Sequence, residues 1–142
     1  MVATEEGRMG YRVVDPDSVE PAPGRPCEMR GLTEPAGLSE FAMNRYRAAP
    51  GEQIPLAYHY HEEQEEAFYV LSGELAVETP AETYEVPAGQ VFAVDPGDPQ
   101  RAYNPADAEE AVEVLAIGAP QTTGDAKPYE SAESDGVERL TE

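Results

Sequence analysis

Turn-forming residues recur so often along this chain that long helices have no room. From residue 50 to residue 105 the breaks fall at Pro50-Gly51, Ser72-Gly73, Pro80, Pro87-Ala88-Gly89, Pro96-Gly97 and Asn104-Pro105. Proline carries no backbone N–H for a helix or an inner strand, and glycine adopts turn conformations that other residues avoid. The segments between the breaks are short and rich in β-branched and aromatic residues: 56–61, 67–71, 74–78, 83–86, 91–94, 101–103 and 112–117. Residues 39–48 add a longer alternating run. About eight or nine short strands at this spacing predict an all-β fold, an antiparallel sandwich or barrel with little helix.

Residues 11–14 are expected to form a short first strand, and residues 15–26, with four prolines, a loop or extended arm. A competing helical signal stands at 105–111, with Asn104 as N-cap and Pro105 at the first helical position, and predicts a turn or two. Beyond residue 118 no apolar period remains. The 142 residues therefore read as one domain with three parts. Residues 1–38 form a strand and arm packing on the barrel, 39–118 the barrel itself, and 119–142 an acidic, mobile tail.

Charge narrows the partners. The chain carries 29 acidic and 9 basic residues, a formal net charge of −20, and Lys127 is its single lysine. No basic patch exists to displace counterions from a phosphate backbone or to hold an anionic membrane, so neither nucleic acid nor membrane is an expected partner. Such a surface suits very high salt, where repulsion between carboxylates is screened within about 3 Å at 1 M. The balance resembles proteins of salt-accumulating haloarchaea. The first residues lack the basic and apolar regions of a secretory signal, and Cys27 has no partner cysteine, so a cytoplasmic setting is expected.

Both histidines of the chain stand at i and i+2, as His59 and His61. On a strand these positions share a face, their Cα atoms about 6.5–7 Å apart, so two imidazoles can converge on one cation. A carboxylate from the next strand can supply a third ligand, and proximity alone leaves Glu65 and Glu66 open. Taken by itself, the pair also reads as surface histidines beside a solvated acidic run.

The longer pattern is more specific. His59-x-His61, four residues, Glu66, six residues and Gly73 resembles the first motif of the cupin superfamily. After fifteen intervening residues, Gly89 opens a segment similar to the second: five residues, Asp95-Pro96-Gly97, two residues, Gln100, three residues and Asn104. Two positions depart, with Asp95 where proline is usual and Gln100 where the family has a third histidine ligand.

This resemblance implies a double-stranded β-helix, the cupin or jelly-roll barrel. It implies a divalent metal, Fe, Mn, Ni or Zn, held by His59, His61 and Glu66, and a homodimer paired through an outer sheet. Gln100 either coordinates through its amide oxygen or steps back and leaves open positions on the ion. Parity places Ala57, Phe68 and Ala102 beside the ligands. Arg45 or Tyr46, depending on which face of 39–48 turns inward, is a candidate contact for an anionic substrate, although Arg45 reads equally as a surface partner for one of the many carboxylates; Tyr46, Tyr103 or a free glutamate are candidates for moving a proton. The expected function is a metal-dependent dioxygenase or isomerase/lyase on a small organic acid or phenolic compound. A non-catalytic ligand-binding or sensing module is the alternative.

Overall fold

Residues 112–119 set the layout of the larger sheet. Val112, Val114 and Ala116 are buried and the residues between them are half-buried, the period-two signature of a strand with one face on a core. The structure, a computed structural model, describes residues 10–129. Among these, ten strands carry the fold: β1 (Glu28–Gly31), β2 (Ala42–Ala48), β3 (His59–His61), β4 (Glu65–Ser72), β5 (Glu74–Glu78), β6 (Thr83–Pro87), β7 (Val91–Val94), β8 (Arg101–Tyr103), β9 (Val112–Ala119) and β10 (Ala126–Pro128).

All pairings are antiparallel. β9 lies at the middle of a five-stranded sheet in the order β1-β2-β9-β4-β7. A three-stranded sheet runs β6-β5-β8, and β3 forms a two-stranded sheet with β10. The two larger sheets share one core, in which Val70, Val112 and Val114 meet Leu75, Val77 and Ala102, none more than 1% exposed. Each of these valines and Leu75 contributes about 1.5–3 kcal/mol when fully withdrawn from water. Cys27 belongs to this cluster, and burial pushes its thiol up to about 11, so it packs as a small hydrophobe.

The β4–β5 turn depends on Gly73. Its φ is +77°, and a Cβ there would lie 2.6 Å from the Ala111 carbonyl oxygen and 2.9 Å from Val112 Cα. Asn104 is 1% exposed and donates from Nδ2 to the carbonyls of Ala48, at 3.0 Å, and Glu110, at 2.9 Å. That side chain ties the end of β2 to the 105–111 loop. An N-cap must instead accept from the first helical turn, so the helix expected at 105–111 gives way to turns.

Three further expectations are corrected. Residues 11–14 form no strand; Tyr11 and Val13 are 81% and 97% exposed and pair with no sheet, and the first strand comes later, where Glu28–Gly31 pairs with β2. The strand expected over 56–61 shortens to His59–His61. Most consequentially, the supposed tail is structured at its start. β9 runs on to Ala119, and Ala126–Pro128 pairs with the histidine strand, Ala126 opposite His61 and Pro128 opposite His59. The rest of the expected tail, 130–142, and residues 1–9 lie outside the described residues.

Candidate metal centre

β3 is only three residues long, yet both of its histidines are fixed from outside. The His59 backbone exchanges hydrogen bonds with Gln100, its N–H reaching the Gln100 carbonyl at 3.3 Å and its carbonyl accepting from Gln100 N–H at 2.9 Å. Directly paired residues share a face, so Gln100 stands beside His59. The His59 ring places Nδ1 2.9 Å from the Ala57 carbonyl. A carbonyl can only accept, so Nδ1 carries the proton and Nε2 keeps its lone pair for a cation.

Register selects the carboxylate. Glu66 lies opposite Val94 and Gly118 and shares its face with buried Phe68, whereas Glu65 is exposed. One ligand atom each from His59, His61 and Glu66 lies within 4.8 Å of the others. Metal–ligand bonds of about 2.0–2.2 Å bring donors into a sphere of nearly that span. Gln100 is 2% exposed; its Nε2 lies 3.4 Å from Glu66 Oε1, while its Oε1 is buried without a hydrogen-bond partner among the described residues. A buried acceptor beside two imidazoles and a carboxylate fits a hard divalent cation, for which an amide oxygen is a suitable donor.

The two imidazoles differ electrostatically. Burial lowers His59 below its ordinary 6.5; the bond to Ala57 and the charge of Glu66 oppose this without reversing it. His61 is also disfavoured as a cation by burial, but Glu66 Oε1, 3.4 Å from Nε2, and the charge of Asp125 outweigh that and raise its pKa. Asp125 Oδ2 stands 3.4 Å from Nδ1, in ion-pair range but too long for a good hydrogen bond, which leaves Nδ1 without a strict hydrogen-bond partner.

Asp125 was hidden in the segment read as a tail. Its carboxylate accepts from the backbone N–H groups of Glu62, Glu63 and Gln64 at 3.0–3.2 Å, fixing the loop that joins β3 to β4. Burial raises its pKa, yet those three N–H groups and His61 outweigh burial and hold it below 3.8. A lone aspartate among many carboxylates gave no sequence signal.

The cluster lines a cavity of about 490 Å3. Its walls include Met29, Tyr46, Ile54 and Leu56, and also Ala57, Phe68 and Ala102, the three that parity placed beside the ligands. Ala42, Asn44 and Tyr46 face inward from β2. Arg45 therefore faces out, 3.4 Å from both Glu113 and Asp17, and is not a substrate contact. Tyr103 is likewise removed: it alternates with cavity-lining Ala102, and its ring lies beneath the Arg101 guanidinium at 4.3 Å. Tyr46 stays. Burial pushes its hydroxyl up to about 12 against the opposing charge of Arg25, so at neutral pH it is a hydrogen-bond donor. Arg25, from the proline-rich arm, also lines the cavity and was not anticipated.

Two sheets wrapped into a short-stranded barrel, with a two-histidine, one-glutamate cluster among the residues lining a cavity, define a β-barrel protein with a candidate metal site. The comparisons give the family. Residues 44–118 match Cupin_2, the cupin domain, so the chain belongs to the cupin superfamily. It is 34% identical over 106 residues to the polyketide synthase CurC of Streptomyces cyaneus, covering 73% of this chain and 67% of that one. A sugar phosphate isomerase of the cupin superfamily from Silicibacter pomeroyi DSS-3 superposes with a TM-score of 0.71 at 28% identity, over 84% of this chain and 82% of that one. The polyketide cyclase RemF of Streptomyces resistomycificus superposes with a TM-score of 0.70 at 21% identity, over 87% and 88%, and speaks to the fold alone. The double-stranded β-helix is thus the fold, and among the described residues no helix is long and apolar enough to cross a membrane.

Proposed function

We propose that this cupin is a metal-dependent enzyme that rearranges or cyclises a small carbonyl-bearing organic acid or phenolic compound. The observation that carries the reading is the His59–His61–Glu66 cluster lining a largely aliphatic and aromatic cavity. His59, His61 and Glu66 hold the ion, with Gln100 Oε1 available as a fourth donor. A divalent cation there supplies Lewis-acid polarisation of a carbonyl oxygen. Phe68, Ile54 and Met29 exclude water and give a flat unsaturated substrate an apolar wall. The Tyr46 hydroxyl donates a hydrogen bond to a substrate oxygen and remains protonated while it does so.

The relatives support carbonyl chemistry. A polyketide and a sugar phosphate both present acidic C–H bonds next to a carbonyl, and the 34% identical relative carries the polyketide name. The apolar lining favours the polyketide-like class over a polyhydroxylated sugar.

The test is elemental analysis of chain purified without chelators, followed by solvent-deuterium exchange into small β-diketones. Metal-dependent exchange, absent in His61→Ala, is the expected result. Oxygen uptake with phenols but no exchange would replace this reading by a dioxygenase. Stoichiometric ligand binding with neither activity would make the protein a binding module.

A further inference from the structure

Arg25 is an unusual cation for so acidic a chain. Against 29 acidic residues, Arg30, Arg45, Arg47 and Arg101 each lie within 3.5 Å of a carboxylate. Arg25 has no carboxylate partner among the described residues. Its Nη2 donates to the Ile54 carbonyl at 3.2 Å, and its Nε is buried with no acceptor among the described residues. A charged donor withdrawn from water without an acceptor is costly, and native structures rarely keep one without a use. Its charge reaches inward: it opposes the burial-driven rise of Tyr46 and disfavours protonation of His59, which places it at the wall those residues share.

Lys127, the other cation among the residues lining the cavity, is a weaker candidate. It pairs directly with Tyr60 across β10 and β3, so its side chain leaves from the face opposite His59 and His61.

We propose that Arg25 is the anion-binding residue of the cavity, positioned to pair with a carboxylate on the substrate. A guanidinium matches a planar carboxylate through parallel N–H donors, and Ile54 already fixes its orientation through Nη2. The surrounding apolar wall strengthens the pairing by excluding water and fits the organic body attached to the carboxylate. The substrate class of the preceding section thereby narrows to aromatic or unsaturated carboxylates, an inference that rests on this cavity being the substrate site.

The experiment is calorimetric titration of chelator-treated full-length protein with 4-hydroxybenzoate, its neutral isostere 4-hydroxybenzamide, and phenyl phosphate. Wild type is expected to bind the carboxylate about tenfold or more tighter than the amide, the scale of one charge-assisted pair. Arg25→Met should lose that preference while holding the amide within about twofold, and Arg25→Lys should restore part of it. Equal binding of carboxylate and amide by wild type, or an unchanged ratio in Arg25→Met, overturns the proposal. So does a preference for phenyl phosphate with the same Arg25 dependence, which would make the anion a phosphate. If Arg25→Met fails to fold, the wild-type ratio and Arg25→Lys still decide. Because no metal or turnover is needed, failure here leaves the metal-enzyme reading intact, and the converse also holds.

Discussion

Asp125 stands behind His61 on the side away from Glu66, with Oδ2 3.4 Å from Nδ1 while Glu66 Oε1 lies 3.4 Å from Nε2. The imidazole is held between two carboxylates, one facing the cluster and one anchored to backbone N–H groups of the β3–β4 loop. Carboxylates behind ligating histidines fix ring orientation and raise ligand basicity.

Removing that support should weaken the metal site without removing a ligand. Asp125→Ala is expected to lower metal affinity by about 10–100-fold. Asp125→Asn, which keeps an acceptor for the loop N–H groups, should lose less. Competitive metal titration against a chromophoric chelator reads both, and wild-type affinity in Asp125→Ala would remove the residue from the site.

Protons should compete with the ion at His61. Its pKa is raised above 6.5 by Glu66 and Asp125 against the opposing effect of burial, so in the metal-free protein it holds a proton to higher pH than an ordinary imidazole. Metal must displace that proton, and affinity should fall by up to about tenfold per pH unit once His61 titrates. His59, lowered by burial, should contribute only at more acidic pH. Metal titrations across the range check the sign: affinity that rises on acidification would contradict it.

Gln100 sets the fourth position. Its buried, unpartnered Oε1 predicts that Gln100→His keeps or tightens metal binding, since imidazole is the stronger donor. His61→Ala should reduce bound metal from about one ion per chain to near zero, as a three-donor site loses a ligand. Elemental analysis decides, and equal content in wild type and His61→Ala would sink the metal assignment.

Salt should stabilise the fold. With a net charge of −20, carboxylate repulsion opposes the compact state. Raising KCl from about 0.1 M to about 2 M shortens the screening length from roughly 10 Å to under 3 Å. The melting temperature should rise over that range in calorimetric scans. A fall would show that the visible ion pairs, such as Arg101 with Glu78 at 2.9 Å, outweigh the general repulsion.

By itself the sequence determined the strand series, the barrel and the core of the site. Period-two alternation is local, so β5, β7 and β8 were legible to the residue, and the resemblance to the first cupin motif, from the histidines to Gly73, singled out Glu66 where proximity alone left Glu65 open. Positive φ and backbone crowding at Gly73, and the two carbonyls bound by Asn104, give those motif residues their physical reason. Other choices belonged to the tertiary structure. Which face of β2 turns inward depended on β9, whose Glu113 draws Arg45 outward and leaves Tyr46 to the cavity. β10, Asp125 and Arg25 came from an apparent tail and a proline-rich arm, where three-residue pairings and isolated charges carry no periodic signal. Their places are fixed by partners about 30 to 60 positions away in sequence, Ile54 for Arg25 and the 62–64 backbone for Asp125, and only the folded chain brings those together.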